Sequence, residues 1–294
     1  MGSAEKVSWK RVLILAGAII AFTIGSGFAT GQEIIQYYTA YGVKGLLVIL
    51  VFLVAFLYYN FNFAKAGAEQ KFEKGNDVYK HFCGKYVGTF CDYYSTLFCY
   101  MSFFVMVGGA SSTLHQEYGL PAWVGGVVLT ALAVITVVGG LNSMVDAMGA
   151  VGPVIVVLCI AIGVITLIRD GGDVGAGLDI IKNAAYEGAA NGETIKSAGS
   201  NWLVSGLSYA GFVLLWFASF TAALGSNNKK KELNYGIIGG TVAVCVAIAV
   251  VMFAQISNIN TPMIGSSDTF VWNADIPNLI LAAKIWKPFS AIFA

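Results

Sequence analysis

Charged residues are scarce in this sequence. Only 11% of its 294 residues are charged, whereas a soluble domain typically carries about a quarter. The hydrophobic residues, 57% of the chain, stand in long blocks, without the short alternating runs of a β-barrel. Helical blocks of about 20 apolar residues match the ~30 Å hydrocarbon layer of a bilayer. The composition therefore excludes a soluble enzyme and predicts an all-α, multi-pass helical bundle in a cell (inner or plasma) membrane.

Histidine and cysteine are also rare, and the motifs that they would build are missing. His81 and His115 belong to no HExxH set, and the five cysteines form no CxxC pair, so neither a metal site nor a disulfide framework is expected. No GxxxxGK[ST] loop is present, and a net charge of +1 provides no field that attracts nucleic acid. We expect no catalytic residues and no cofactor; a coupling ion, Na+ or H+, stays undetermined.

Seven apolar blocks predict membrane spans within a single transmembrane domain of residues 1–294. Spans 1 to 7 are predicted, in chain order, at 12–38, 45–64, 87–113, 122–140, 153–168, 202–224 and 236–255. The basic segment 65–86 predicts a surface helix, and 277–286 predicts a short amphipathic helix that lies on the surface or folds into a loop. Pro288 is expected to open an eighth span that is cut off, so C-terminal spans are expected to be missing.

Lysines and arginines are distributed unevenly between the two sides of the membrane. Most of them lie before span 1, between spans 2 and 3, and between spans 6 and 7. Cytoplasmic loops carry an excess of these residues. We therefore expect the N-terminus to be cytoplasmic.

The middle of span 1 contains the most informative motif, Gly25-Ser26-Gly27-Phe28-Ala29-Thr30-Gly31-Gln32-Glu33. Glycines at mid-membrane indicate either close packing through small residues or a break that exposes backbone N–H and C=O groups. In transporters such freed groups bind the substrate. The 27 residues of 12–38 would form a helix of roughly 40 Å, longer than the hydrocarbon layer, which favours the break.

Span 6 has a similar stretch, Ser205-Gly206-Leu207-Ser208-Tyr209-Ala210-Gly211. Close packing is again the alternative. Two glycine-interrupted spans at corresponding positions of two halves point to a transporter binding site. Their separation, five spans apart, fits an inverted repeat with halves of about 11–168 and, in part, 202–294.

The span 1 motif resembles that of a family of amino acid permeases within the amino acid–polyamine–organocation superfamily, which shares the LeuT-type fold. The resemblance implies ten or more spans, with broken helices 1 and 6 around the substrate. By position, it implies that Gly25, Ser26 and Gly27 bind a substrate carboxylate through backbone N–H groups. It further implies that span 6 faces the substrate and takes its ammonium group with backbone carbonyls, and that span 3 forms the opposite wall. The span 6 residues implied are Ser205, Gly206, Ser208 and Tyr209.

Two further side chains are candidates for the site. Tyr100 lies deep in the unusually polar span 3 and is expected to line a cavity there. Glu33 is an ionisable residue near the membrane interior, where carboxylates tend to be functional, so it is the candidate for proton coupling. Alternatively, Glu33 lies at the outer interface.

Two functions fit these features. The first is a secondary transporter that moves an amino acid or a similar small amine-bearing solute by alternating access. The second is a membrane nutrient sensor or receptor that uses the same pocket without transport. In both cases the expected partners are a zwitterionic small solute and the lipid bilayer, and the oligomeric state is unspecified.

Overall fold

The computed structural model describes residues 7–189, 192–265 and 267–287. The described part contains eleven α-helices and no strand longer than an isolated bridge. The helices are α1 (Trp9–Thr23), α2 (Ser26–Thr30), α3 (Gln32–Tyr37), α4 (Gly45–Gln70), α5 (Asp77–Tyr118), α6 (Ala122–Val138), α7 (Gly140–Asp170), α8 (Val174–Asn183), α9 (Trp202–Asn227), α10 (Lys230–Ser257) and α11 (Pro277–Ile285). The expected eighth span from Pro288 lies outside the described residues.

Five helical segments of the described chain are long and apolar enough to cross a membrane. They are Thr39–Gln70, Asp77–Ser111, Gly140–Asn183, Trp202–Asn227 and Lys230–Ser257. These segments contain predicted spans 2, 5, 6 and 7 and most of span 3, and they support the prediction of an all-α membrane bundle. Predicted span 5 is too short, because α7 begins at Gly140 and continues through Pro153 to Asp170.

Small residues bring the central helices close together. α4 packs along α9, while α1 packs against α7 and α10. A Cβ on Gly67 would lie 2.0 Å from the Ala222 carbonyl oxygen, and a Cβ on Gly152 would lie 2.1 Å from the Gly17 carbonyl oxygen. Only glycine permits these approaches, as expected of helix packing inside a membrane.

The predicted surface helix at 65–86 is wrong in its bounds. α4 continues to Gln70, and the next residue, Lys71, caps the helix in a left-handed conformation (φ 50°). A turn follows, and α5 begins at Asp77 with a bend at Gly84 (φ 72°, ψ 179°). The segment is therefore divided between the end of one long helix and the beginning of another.

The predicted break in span 6 is also wrong. α9 runs without interruption from Trp202 to Asn227, and Gly206 lies within it. A Cβ on Gly206 would lie 2.9 Å from Val51 Cβ on α4. The glycine therefore serves close packing between α9 and α4, which was the alternative explanation of the motif.

The loop regions at the α3 side of the bundle are folded onto it. A second apolar cluster there includes Tyr186, Phe270, Val271, Trp272 and Leu281. α11 contributes its buried residues Pro277 to Ala282. The short helix predicted at 277–286 is therefore folded into the protein and does not lie on its surface. This arrangement places α11 directly beside the interrupted part of span 1.

Candidate functional site

The chain of predicted span 1 is interrupted at the motif that the sequence singled out. α1 ends at Thr23, and Ile24 and Gly25 are extended (φ −83°, ψ 93° and φ −84°, ψ −177°). The short helix α2 follows, and Gly31 then takes a left-handed conformation (φ 86°) before α3 begins. Predicted span 1 is thus three short helices, and its break is confirmed.

Side chains from distant helices bond to carbonyl groups at this interruption. Trp216 Nε1 on α9 donates a hydrogen bond to the Phe22 carbonyl oxygen (3.1 Å). Asn278 Nδ2 on α11 donates to the Ala29 carbonyl oxygen (3.0 Å). A buried carbonyl without a partner costs about 1–3 kcal/mol. These bonds therefore help to make the break tolerable inside an apolar bundle.

Gln255 is the centre of this polar network. Its Nε2 donates to the Gly31 carbonyl oxygen (3.0 Å) and to Asn278 Oδ1 (3.3 Å). Its Oε1 accepts from Thr39 Oγ1 (2.7 Å). Gln255 and Asn278 are both fully buried, so their amides are committed to these bonds. Sequence reasoning missed both residues, although an amide at the end of the apolar span 7 was a usable signal.

Two glycines of the motif fit against polar side chains. A Cβ on Gly31 would lie 2.3 Å from Asn278 Oδ1 and 2.7 Å from Gln255 Nε2. A Cβ on Gly27 would lie 2.4 Å from Glu33 Oε1. Gly31 is therefore needed both for its positive φ and for the space that the two amides occupy. Gly27 leaves room for the Glu33 carboxylate to approach the main chain of α2.

Glu33 and Tyr209 face each other across the interruption. Tyr209 Oη donates a hydrogen bond to Glu33 Oε2 (3.1 Å). Tyr209 is fully buried, and its ring packs against Tyr37 and Phe52 with centroids 4.9 Å and 5.0 Å away. The site thus holds the Glu33 carboxylate, the Tyr209 phenol bonded to it, the neighbouring phenols of Tyr37 and Tyr38, and the polar main chain of the break.

Only some of the span 6 residues predicted for the site lie beside the interruption. Tyr209 is there, and Ser205 Oγ donates to the Tyr37 carbonyl oxygen at the end of α3 (2.8 Å). Gly206 packs on α4, and Ser208 is exposed. Because α9 is continuous, its carbonyls in this stretch are occupied within the helix. The Ser26 side chain lies outside the described part of the structure.

Tyr100 points away from the interruption. It is 60% exposed, and its ring contacts Phe104 of its own helix. Phe98 stacks on Trp216 with centroids 5.7 Å apart, and two positions along a helix correspond to about 200° of rotation. α5 instead approaches the break through Met106, whose methyl carbon would lie 3.6 Å from a Cβ on Gly25.

The interruption is partly buried in this structure: Ile24, Phe28 and Gly31 are buried, whereas Gly25, Gly27 and Glu33 are partly exposed. Two surface depressions are seen in the described chain, one between α4 and α10 and one along the apolar surface of α4 and α9. Neither is lined by any residue of 23–33. The Glu33–Tyr209 pair therefore does not open into either of these two depressions.

Comparison with known proteins gives a limited result. No family model matches the chain, and no solved structure matches it. A stretch of 132 residues is 27% identical to a protein of Bacillus subtilis (strain 168) named Uncharacterized protein YyaD. The alignment covers 45% of this chain and 36% of that protein. The chain therefore matches about a third of the length of this relative.

Proposed function

We propose that the chain is a secondary transporter for an amino acid or a similar small amine-bearing solute, related to the amino acid permeases of LeuT-type fold. The observation that supports this function is the interruption of span 1 at Ile24 and Gly25. Irregular backbone at membrane depth is tolerated only where protein or a polar cavity surrounds it. In transporters, such interruptions form the substrate site.

The continuous α9 changes how the solute would be held. Its carbonyls are bonded within the helix and are not freed as they would be in an unwound segment, so they are a less favourable site for an ammonium group. The Glu33 carboxylate lies beside Gly27 and is the acidic group at the break. The Gly25 N–H already donates to the Thr23 carbonyl oxygen (3.2 Å). We therefore propose that Glu33 pairs with the ammonium group of the solute, and that the backbone N–H groups of Ser26 and Gly27 bind its carboxylate.

Glu33→Gln tests this assignment of the ammonium group. The substitution keeps the shape of the side chain and removes its charge, and losing one partner of a buried charge pair costs about 2–5 kcal/mol. We expect binding of zwitterionic amino acids to weaken accordingly and any pH dependence of uptake to disappear. Equilibrium binding to purified protein, with uptake measured across a pH series, checks both. Unchanged affinity together with an unchanged pH profile would contradict the assignment.

A membrane nutrient sensor that uses the same pocket is the second candidate. The uninterrupted α9 favours it, because only one side of the proposed pocket then has an unwound segment that can rearrange. Uptake of radiolabelled amino acids into proteoliposomes, with binding measured in parallel, separates the two functions. Binding with flux supports the transporter, and binding without flux supports the sensor.

A further inference from the structure

A depression lies between α4 and α10, close to the beginning of α10. It is lined by Phe61 of α4 and by Lys231, Asn234, Tyr235 and Ile238 of α10. The α10 residues recur at intervals of three and four positions, so they share one face of the helix. The depression therefore combines a cation, an amide and a phenol with apolar side chains.

The length of α10 and the aromatic residues beside it indicate that the depression lies at the depth of lipid headgroups. α10 has 28 residues and is roughly 42 Å long, so its ends extend beyond the ~30 Å hydrocarbon layer. Trp9 stacks on Tyr235 with ring centroids 5.8 Å apart. Trp and Tyr are enriched at the membrane–water interface, and this pair marks that level on α10.

The electrostatic environment of the depression is positive. Lys231 is exposed, and no acidic residue lines the depression. The neighbouring Glu232 is only 5% exposed and does not line the depression, and its carboxylate accepts a hydrogen bond from the Ser8 backbone N–H (2.8 Å). Asp146, at the same end of the bundle, forms an ion pair with Arg11 (3.0 Å). An anion in the depression would therefore meet Lys231 without a competing carboxylate.

An apolar stripe continues from the depression along α10. Ile238, Val242 and Val246 recur every four residues and are 40%, 46% and 46% exposed. Residues at this spacing lie on one helix face. A polar and basic depression that continues into an apolar stripe has the shape of a phospholipid, with its headgroup at one end and an acyl chain below.

We propose that this depression is a binding site for an anionic phospholipid. The phosphate of the lipid contacts Lys231, with Asn234 and the Tyr235 hydroxyl as further hydrogen-bond donors, and one acyl chain lies along the apolar stripe. Basic depressions between membrane helices are known to bind acidic headgroups. This site is separate from the interruption of span 1 and does not depend on the function proposed for it.

Matched lysine substitutions test the proposal on the full chain in detergent. Native mass spectrometry would measure retention of phosphatidylglycerol and of phosphatidylcholine by the wild type, Lys231→Gln and Lys230→Gln. Lys230 is also exposed, but it does not line the depression. We expect selective retention of phosphatidylglycerol, weakened about five-fold by Lys231→Gln, the usual effect of one lysine near a membrane surface. Lys230→Gln should change it by less than about two-fold.

Three results would overturn the site. Equal losses of retained phosphatidylglycerol in Lys231→Gln and Lys230→Gln would indicate that binding depends on general surface charge and not on this depression. Equal retention of the two lipids by the wild type would indicate no headgroup preference. Displacement of the lipid by soluble glycerol phosphate would indicate a site for a free phosphate compound. Unchanged thermal unfolding of Lys231→Gln is the control that separates a lost contact from a lost fold.

Discussion

The glycine-rich stretches of span 1 and span 6 look alike in the sequence, but they fold differently. At span 1, the chain leaves the helix at Ile24 and turns at Gly31. At span 6, α9 continues through Gly206 and Gly211. Glycine alone therefore does not decide whether a membrane helix breaks.

The difference lies in the hydrogen-bond partners that the rest of the fold provides. The interrupted segment receives donors from Trp216, Gln255 and Asn278. At span 6, the nearest neighbours of a Gly206 Cβ belong to the apolar Val51 and to the backbone of α4. Unwinding the helix there would therefore leave its backbone N–H and C=O groups without partners among apolar side chains. In a membrane, an unpaired backbone group costs several kcal/mol.

Among the substitutions that test this comparison, Gly31→Ala should cause the largest loss of stability. The left-handed conformation costs a non-glycine residue about 1–2 kcal/mol, and the added methyl would overlap the two amides, which adds about 1–3 kcal/mol. We expect the free energy of unfolding to fall by roughly 2–5 kcal/mol, measured by denaturant unfolding in detergent. A Gly31→Ala variant as stable as the wild type would show that the turn is not required.

Removing the donor of Gln255 should have an intermediate effect. Gln255→Met keeps the length of the side chain but loses the bond to the Gly31 carbonyl as well as the acceptor for Thr39, and each buried group left unpaired costs about 1–3 kcal/mol. Thr39→Val is the matched control, because it removes only the bond on the other side of the same amide. Hydrogen exchange in residues 29–37 should increase more in Gln255→Met than in Thr39→Val. Equal increases in both variants would argue against a specific role at the break.

Replacing Gly211 by alanine should have the smallest effect. No atom outside its own helix backbone lies within 4 Å of a Cβ at this position, and alanine is favoured over glycine in a helix by up to about 1 kcal/mol. The free energy of unfolding of Gly211→Ala, measured by denaturant unfolding in detergent, should be unchanged or slightly higher. A clear loss of stability would mean that α9 needs flexibility at Gly211, and the contrast between the two spans would weaken.

The sequence predicted the helical membrane fold, the approximate positions of five of the seven proposed spans and the position of the break in span 1. These features depend on local composition, so a single chain segment carries the information. Gln255 and Asn278 were not predicted, because they lie 224 and 249 residues from the groups that they contact. The same limit explains the error at span 6, since the packing of Gly206 depends on α4. The orientation of Tyr100 depends on how Phe98 stacks on α9, which spacing along span 3 does not reveal.

Solute binding to Gly27→Leu tests the central proposal most directly. A leucine side chain at residue 27 would occupy the space beside the Glu33 carboxylate. A Cβ at residue 211 has no neighbour within 4 Å, so Gly211→Leu is the matched control. With a panel of radiolabelled amino acids and folded protein, we predict that Gly27→Leu abolishes binding and that Gly211→Leu retains it. Wild-type binding that persists in Gly27→Leu would contradict the assignment of the solute site to the interruption of span 1.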